Sequence, residues 1–161
     1  MSTEILAARL SAEPITVGQA IAAVESDDCG AVVSFSGVVR DHDGGRDVTR
    51  LSYSGHPTAE RVMAEVVDGV LGDFGGRDGA VLRIWAAHRV GPLEVGDAAL
   101  VCAVAAPHRQ LAFAACAELV DRIKDQVPIW KEQFFTDGTV EWVGAGNALA
   151  AGHSGAGQNG A

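Results

Sequence analysis

The alternation of hydrophobic and polar positions divides the chain into helices and strands. Thr16 precedes the segment VGQAIAAVE, whose cap residue and apolar spacing predict a first helix that ends before Gly30. Residues 31–39 are rich in β-branched side chains and predict a strand, which the polar loop 41–47 separates from a second strand at 48–54. We expect these two strands to form a hairpin.

A second helix and a second hairpin follow. After Pro57, apolar residues at helical spacing predict a helix that ends near Gly72. Strands are predicted at 80–89 and 98–106, and the segment 90–97 between them is interpreted as a turn. The strand at 98–106 is apolar throughout, which is typical of a strand that is covered on both faces.

The last helix and hairpin complete the pattern. An apolar stripe predicts a helix over about 107–125, and Pro128 disfavours helical geometry in the residue before it, so the helix should end there. Strands at 129–135 and 139–143 are predicted to pair across an Asp-Gly turn. The order of one helix and one hairpin, repeated three times, predicts an α+β fold with a mainly antiparallel sheet and three helices.

Length and composition predict a single domain over residues 1–143. A chain of 161 residues with 48% hydrophobic and 20% charged residues is large enough to bury a core. Residues 144–161 contain twelve Gly or Ala among 18 and no aromatic residue, so we expect them to form a disordered tail.

Charge and cysteine content narrow the classes of function. The net charge of −9 disfavours nonspecific binding to nucleic acid, which requires a basic face. No apolar run reaches 18 residues without a charge, and the N-terminus lacks the basic and apolar regions of a signal peptide, so we expect a cytoplasmic protein. The three cysteines are odd in number and form no CxxC motif, so neither a disulfide framework nor a metal site is predicted, and no cofactor is expected.

Lysine is rare in this chain. Lys124 and Lys131 are the only two lysines, and the other ten basic side chains are arginine. The pKa of a lysine falls readily on burial, so lysine can act as an acid, a base or a nucleophile where arginine cannot. The two lysines therefore indicate a site of ammonium chemistry, although composition alone leaves a chance placement equally open.

Further basic residues mark candidate anion sites. Arg40 follows a strand where a glycine loop begins, so it could clamp a phosphate or simply extend to water. His108 and Arg109 begin the long helix, where they could add to the field of the helix N-terminus or form an ordinary solvated helix start. The pair His88-Arg89 could join the site, but we favour a role in anchoring the following turn.

Four segments carry a resemblance to a known family: FSGVVRDHDGGRDV (35–48), HRVGPLEVGD (88–97), APHRQLAFAAC (106–116) and KDQVPIWKEQ (124–133). Together they resemble the catalytic (large) subunit of molybdopterin synthase, over roughly residues 14–143. The resemblance implies an α/β hammerhead-like fold, and a homodimer at the centre of a heterotetramer. Residues 53–60, YSGHPTAE, depart from the acidic-aromatic stretch of many members, so no functional residue is assigned there.

The same resemblance implies a reaction and partners. The sulfur donor would be a small ubiquitin-like subunit whose C-terminal Gly-Gly tail carries a thiocarboxylate. The acceptor would be cyclic pyranopterin monophosphate, and two sulfur transfers would form the dithiolene of molybdopterin. Two alternatives stay open: a non-catalytic dimeric phosphopterin-binding scaffold, and another sulfur- or acyl-transfer enzyme.

The resemblance also implies roles for individual residues. Lys124 would be the acid, base or charge-stabilising group, and Lys131 would support it. Seven residues would bind the substrate: Val38, Val39, Arg40, His108, Arg109, Glu132 and Gln133. Because 16 residues of unbroken helix at about 1.5 Å each separate His108 from Lys124 by roughly 24 Å, we expect each site to be built from two protomers.

Overall fold

Helices and strands alternate through the chain as an α+β protein, which confirms the predicted fold class. The computed structural model describes residues 3–76 and 80–145. The helices are α1 (Val17–Val24), α2 (Ala59–Phe74) and α3 (Arg109–Gln126). The strands are β1 (Glu4–Ser11), β2 (Ala31–Val38), β3 (His42–Asp43), β4 (Arg46–Gly55), β5 (Arg83–Arg89), β6 (Gly91–Glu94), β7 (Ala98–Ala106), β8 (Ile129–Phe135) and β9 (Val140–Ala145).

The first sheet has four strands in the order β1-β5-β7-β2. The β1–β5 pair is parallel, and the β5–β7 and β7–β2 pairs are antiparallel. Helices α2 and α3 cover one face, and α1 covers the other. Alternate residues of β7 therefore enter two apolar layers, which explains why this strand is apolar throughout.

The second sheet is antiparallel and has the order β3-β4-β8-β9, with β6 also paired to β4. A small apolar cluster joins it to the first sheet, and consists of Val39, Leu51, Leu93 and Ala99. The two sheets meet at the end of β2, and the candidate site lies at this seam.

The predicted hairpin between residues 31–39 and 48–54 is wrong. β2 pairs with β7 in the first sheet, whereas β4 pairs with β6 and β8 in the second. The backbone of Val39 donates to the carbonyl of Asp97 and accepts from the N–H of Gly96, so the chain leaves β2 toward the second sheet. The hairpin prediction missed this because the strand pattern does not reveal its partner.

Three strands escaped the sequence analysis, and one of them is the two-residue β3 (His42–Asp43) within the predicted polar loop 41–47. Residues 4–11 received no element but form β1, which is parallel to β5. The segment 90–97 was interpreted as a turn, but its first residues form β6. All three strands are short or partly exposed, so they lack the continuous apolar run that made β7 easy to predict.

The predicted helix ends are confirmed. The Thr16 side chain accepts a hydrogen bond of 3.1 Å from the Gln19 backbone N–H, as expected of a helix N-cap. Helix α3 is unbroken, and Val127 is extended (φ −75°, ψ 119°) before Pro128. No helix in residues 3–76 and 80–145 is both long and apolar enough to cross a membrane. Strand β9 reaches Ala145, past the predicted domain end at 143, and the rest of the predicted tail lies outside the described residues.

Two glycines test the packing directly. We expect Gly72→Ala, on α2, to raise the free energy of unfolding by about 0.5–1 kcal/mol, because a helical glycine is unfavourable and a Cβ there would meet no described atom within 4 Å. Gly30→Ala should lower it, because a Cβ there would lie 2.9 Å from the Pro107 carbonyl oxygen. Denaturant unfolding of both variants measures the difference, and a stabilising Gly30→Ala would contradict this packing.

Candidate active site

A cavity of about 130 Å³ lies at the seam of the two sheets. Its walls come from the end of β2, the β3–β4 hairpin, β5, β7, the end of α3, and β8. The polar side chains in the lining are Arg40, His42, Asp43, Tyr53, His88, Lys124, Lys131 and Gln133. With one arginine and two lysines against one carboxylate, the cavity suits an anionic ligand, although the chain as a whole is acidic.

A tight connection brings both lysines to this cavity. Lys124 lies in the last turn of α3, where a cation is favourable to the helix dipole. The helix ends before Pro128, and β8 begins at once with Ile129. Lys131 then pairs with Tyr53 of β4 in the second sheet, so its side chain enters the cavity from the opposite wall.

Lys131 is held in an environment that favours its neutral form. Burial lowers the pKa of Lys131 below the ordinary lysine value, and the charges of Arg40 and Lys124 lower it further. The carboxylate of Asp43 opposes this shift. The net lowering means that Lys131 releases its proton more readily than an exposed lysine.

The β3–β4 hairpin carries the carboxylate of the cavity. The Gln133 side chain donates a 2.7 Å hydrogen bond to one oxygen of Asp43, and Arg40 lies 3.8 Å from the other oxygen. Gly44 (φ 59°) and Gly45 (φ 78°) form the turn between the strands, and the positive φ at both positions favours glycine. The hairpin therefore fixes Asp43 between a buried amide and an arginine.

His88 and Tyr53 form a neutral wall. Their rings meet edge to face, with centroids 4.8 Å apart and an interplanar angle of 80°. The Nδ1 of His88 donates to the Arg89 carbonyl oxygen at 2.7 Å. Burial lowers the pKa of His88 to about 4; the hydrogen bond to Arg89 opposes that shift, and the charge of Lys124 adds to it. Burial also raises the pKa of Tyr53, so both side chains are uncharged at neutral pH.

Six of the nine residues predicted for the site line the cavity: Val38, Val39, Arg40, Lys124, Lys131 and Gln133. Glu132 does not, because it alternates with Lys131 and pairs with Ser52 and Trp142 on the other face of the sheet. His108 and Arg109 lie at the far end of α3. The axial separation of Arg109 and Lys124 is about 23 Å, from fifteen helical steps of about 1.5 Å.

Four polar lining residues escaped the sequence analysis as site residues: His42, Asp43, Tyr53 and His88. Tyr53 lies in the stretch to which no function was assigned, and His42 and Asp43 lie in the polar loop 41–47, where no site residue was predicted. The His88 ring is hydrogen-bonded to the carbonyl of Arg89, the last residue of β5, and His88 also lines the cavity. In the described ranges, no group of three His, Cys, Asp or Glu side chains is placed to hold a metal ion.

A second, apolar groove lies between β2 and α3. It is lined by Val33, Ser34, Phe35, Phe113, Cys116, Ala117, Val120 and Asp121. Phe113 projects from α3 with 61% of its surface exposed. Beside the groove, β2 is an edge strand, since β7 is its one strand partner in the part of the chain that the structure describes.

Comparisons with known proteins agree with this architecture. Residues 10–126 match the model of a family described as MoaE protein. The chain is 40% identical over 136 residues to molybdopterin synthase catalytic subunit 1 of Mycobacterium tuberculosis, covering 84% of this chain and 89% of that relative. It is 36% identical over 132 residues to the molybdopterin synthase catalytic subunit of Bacillus subtilis, covering 81% and 80%. The crystal structure of molybdopterin synthase from Staphylococcus aureus matches with a TM-score of 0.74 at 34% identity, over 84% of this chain and 95% of that chain.

The electrostatics of Lys131 can be measured directly, because a lysine-labelled sample gives only two side-chain NMR signals. We expect Lys131 to titrate below the ordinary lysine pKa. Asp43→Asn should lower the pKa of Lys131 further, because it removes the anion that favours the ammonium form. Asp47→Asn, an exposed position on the same hairpin, is the matched control and should leave the signal unchanged. A rise in the pKa of Lys131 in Asp43→Asn would contradict this account.

Proposed function

The chain belongs to the MoaE protein family, in which its relatives are molybdopterin synthase catalytic subunits, and we propose that its cationic cavity is the site of sulfur transfer. The reaction belongs to the biosynthesis of the molybdenum cofactor. The sulfur donor is the thiocarboxylated C-terminus of a small ubiquitin-like subunit, and the acceptor is cyclic pyranopterin monophosphate. Two transfers form the dithiolene of molybdopterin.

The convergence of the only two lysines in one cavity carries this proposal. Both ligands are anions, a phosphate and a thiocarboxylate, and the cavity presents Arg40 with the two lysines in an otherwise acidic protein. Opening the cyclic phosphate and adding sulfur at two carbons requires proton transfers and stabilised oxyanions. A scaffold without catalysis would have no need for a buried lysine of lowered pKa, so the enzyme is favoured over that alternative.

We assign different roles to the two lysines. Burial lowers the pKa of Lys131, so its neutral form is more accessible than that of an exposed lysine, and we assign Lys131 the role of proton acceptor. Lys124, in the last turn of α3, is then assigned to stabilise the developing oxyanion. This reverses the roles expected from the sequence resemblance, in which Lys131 only supported Lys124. Val38, Val39, Arg40 and Gln133 shape the rest of the binding site.

The partner delivers its tail as an extended peptide. The relatives are named catalytic subunits, which is consistent with a further subunit in the synthase. A Gly-Gly tail is slim enough to enter a cavity of about 130 Å³, where larger side chains would clash. This small subunit and the homodimer together make a heterotetramer.

A homodimer can supply the phosphate site that a single chain lacks. Strand β2 and helix α3 run in the same direction. Their starts are close, because a Cβ on Gly30 would lie 2.9 Å from the Pro107 carbonyl oxygen. Near their ends, Val38 and Lys124 both line the cavity. A two-fold axis across the middle of the β2 edge therefore places the start of the partner's α3 near this cavity. The partner copy then contributes His108 and Arg109, and the apolar groove at Phe113 is covered.

The function is tested by reconstitution. The chain is incubated with the thiocarboxylated small subunit and cyclic pyranopterin monophosphate, and the dithiolene product is detected. A small subunit without its last two glycines is the control and should give no product. Product formation with a free thiol donor in place of the small subunit would favour a different sulfur-transfer enzyme.

Arginine substitutions separate the roles of the lysines. We expect Lys131→Arg to lower kcat by about 10²–10⁴-fold, because arginine keeps the charge but does not release a proton. Lys124→Arg, which keeps the charge, should lower kcat less. Circular dichroism would verify that both variants fold. The opposite order of losses would return the proton transfer to Lys124.

Mixed dimers test the shared site. Lys124→Ala and the double variant His108→Ala/Arg109→Ala should each be inactive alone. After subunit exchange, an equimolar mixture should recover about a quarter of wild-type activity, because half of the dimers are mixed and each of these has one intact site. Adding Phe113→Asp to both partners should prevent the recovery by disrupting the groove. No recovery after confirmed exchange would refute a site built from two protomers.

A further inference from the structure

The hydroxyl of Tyr53 is a polar group to which the proposal above gives no role. Tyr53 lies on β4, where Lys131 of β8 is its cross-strand neighbour, so both side chains leave the sheet on the same face. Both residues line the cavity. The ring of Tyr53 also contacts His88 of the first sheet edge to face, at 4.8 Å between centroids. The position of Tyr53 is therefore fixed by both sheets.

The Tyr53 hydroxyl has no hydrogen-bond partner among residues 3–76 and 80–145. Within those residues, the Nε of Arg89 is the one side-chain nitrogen or oxygen that is both fully buried and unpaired. The Tyr53 hydroxyl is therefore unpaired but accessible, and the space next to Tyr53 is the cavity that it lines. An unpaired hydroxyl in the wall of a cavity is available to a ligand.

His88 supplies an acceptor on the same wall. Its Nδ1 lies 2.7 Å from the Arg89 carbonyl oxygen, and because a carbonyl oxygen only accepts, Nδ1 carries the proton and Nε2 keeps its lone pair. In the part of the chain that the structure describes, this Nε2 is also unpaired without being fully buried. Burial lowers the pKa of His88 to about 4 and raises the pKa of Tyr53, so this wall is uncharged at neutral pH.

The neutral wall and the arginine of the cavity occupy different places. The side chain of Arg40 is 51% exposed, so it lies at the mouth, whereas Tyr53 and His88 lie where the two sheets meet. An anionic group keeps more of its hydration at the mouth, and Arg40 offers it a charge partner there. Lys131 is near both places, since it pairs with Tyr53 and the charge of Arg40 lowers its pKa.

We propose that Tyr53 and His88 form a specificity subsite for the pterin ring of the substrate, in which the Tyr53 hydroxyl donates to a ring acceptor and the His88 Nε2 accepts from a ring N–H. The inference deepens the proposed sulfur-transfer function and rests on it for the identity of the substrate. The amide edge of a pterin carries both kinds of atom, whereas a cyclic phosphate or a thiocarboxylate carries only acceptors. The subsite therefore selects the ring and leaves the anion to the basic side chains.

Two probes separate the ring from the anion in binding calorimetry. Tyr53→Phe keeps the ring contact with His88 and removes only the hydroxyl. We expect it to weaken the binding of cyclic pyranopterin monophosphate about tenfold, because a ring acceptor is left unpaired, and to leave the binding of inorganic phosphate unchanged. Arg40→Gln should weaken the binding of both probes. Ser52→Ala, on the opposite face of β4, is the matched control and should weaken neither. No loss for the pterin ligand in Tyr53→Phe, or an equal loss for both probes, would overturn the subsite.

A second measurement needs no variant, because Tyr53 is the only tyrosine of the chain. A sample labelled with ¹³C at the ζ carbon of tyrosine gives one NMR signal, which responds to hydrogen bonding of the hydroxyl. We expect unsubstituted pterin to shift this signal and inorganic phosphate to leave it in place. A signal that pterin does not shift, or that both probes shift equally, would overturn the subsite. Dithiolene product with an unshifted signal would refute the subsite alone, and a shifted signal without product would refute the proposed function alone.

Discussion

The electrostatics of the cavity depend on the carboxylate of Asp43. An arginine and two lysines meet at the seam of the two sheets, and burial lowers the pKa of one of them, Lys131. Asp43 compensates for this in part: it faces Arg40, accepts from the buried amide of Gln133, and favours the charged form of Lys131. The compensation is incomplete, and the lowered pKa of Lys131 is the result. A fully neutralised cavity would bind an anion weakly and would lack a lysine ready to release its proton.

Local chemistry in the sequence was sufficient for most elements. Thr16 at the start of α1, Pro128 after α3 and the apolar run of β7 each act within a few residues, so these elements could be predicted. The pairing of the strands could not be predicted, because it depends on contacts between residues that are distant in the sequence. The backbone bonds between Val39 and the segment at Gly96 separate β2 from β4, and no residue between those two strands signals this.

The residues of the candidate site also divide into those that the sequence predicted and those that it did not. The lysines stand out by composition and Arg40 by its place between a strand and a glycine loop, and the family resemblance supplied Gln133. Tyr53 and His88 come together only because β4 and β5 belong to different sheets that meet at the seam. Glu132, adjacent to Lys131 in the sequence, points away because neighbouring residues of a strand face opposite sides. The sequence therefore predicted which strand these residues belong to, but only the pairing of the strands shows which face of the sheet each side chain lies on.

The free edge of β2 also bears on the solubility of the chain. Unpaired strand edges invite nonspecific addition of other strands, and proteins usually protect them with charged side chains, proline or bulges. β2, with the sequence AVVSFSGV, contains neither a charged residue nor a proline, its register shift lies only at its end between Gly37 and Val38, and it borders an apolar groove. An isolated protomer would thus expose an aggregation-prone edge, restrained mainly by the repulsion between chains of net charge −9. Assembly would then protect the chain from aggregation, and dilution or added salt would weaken that protection before the fold itself is lost.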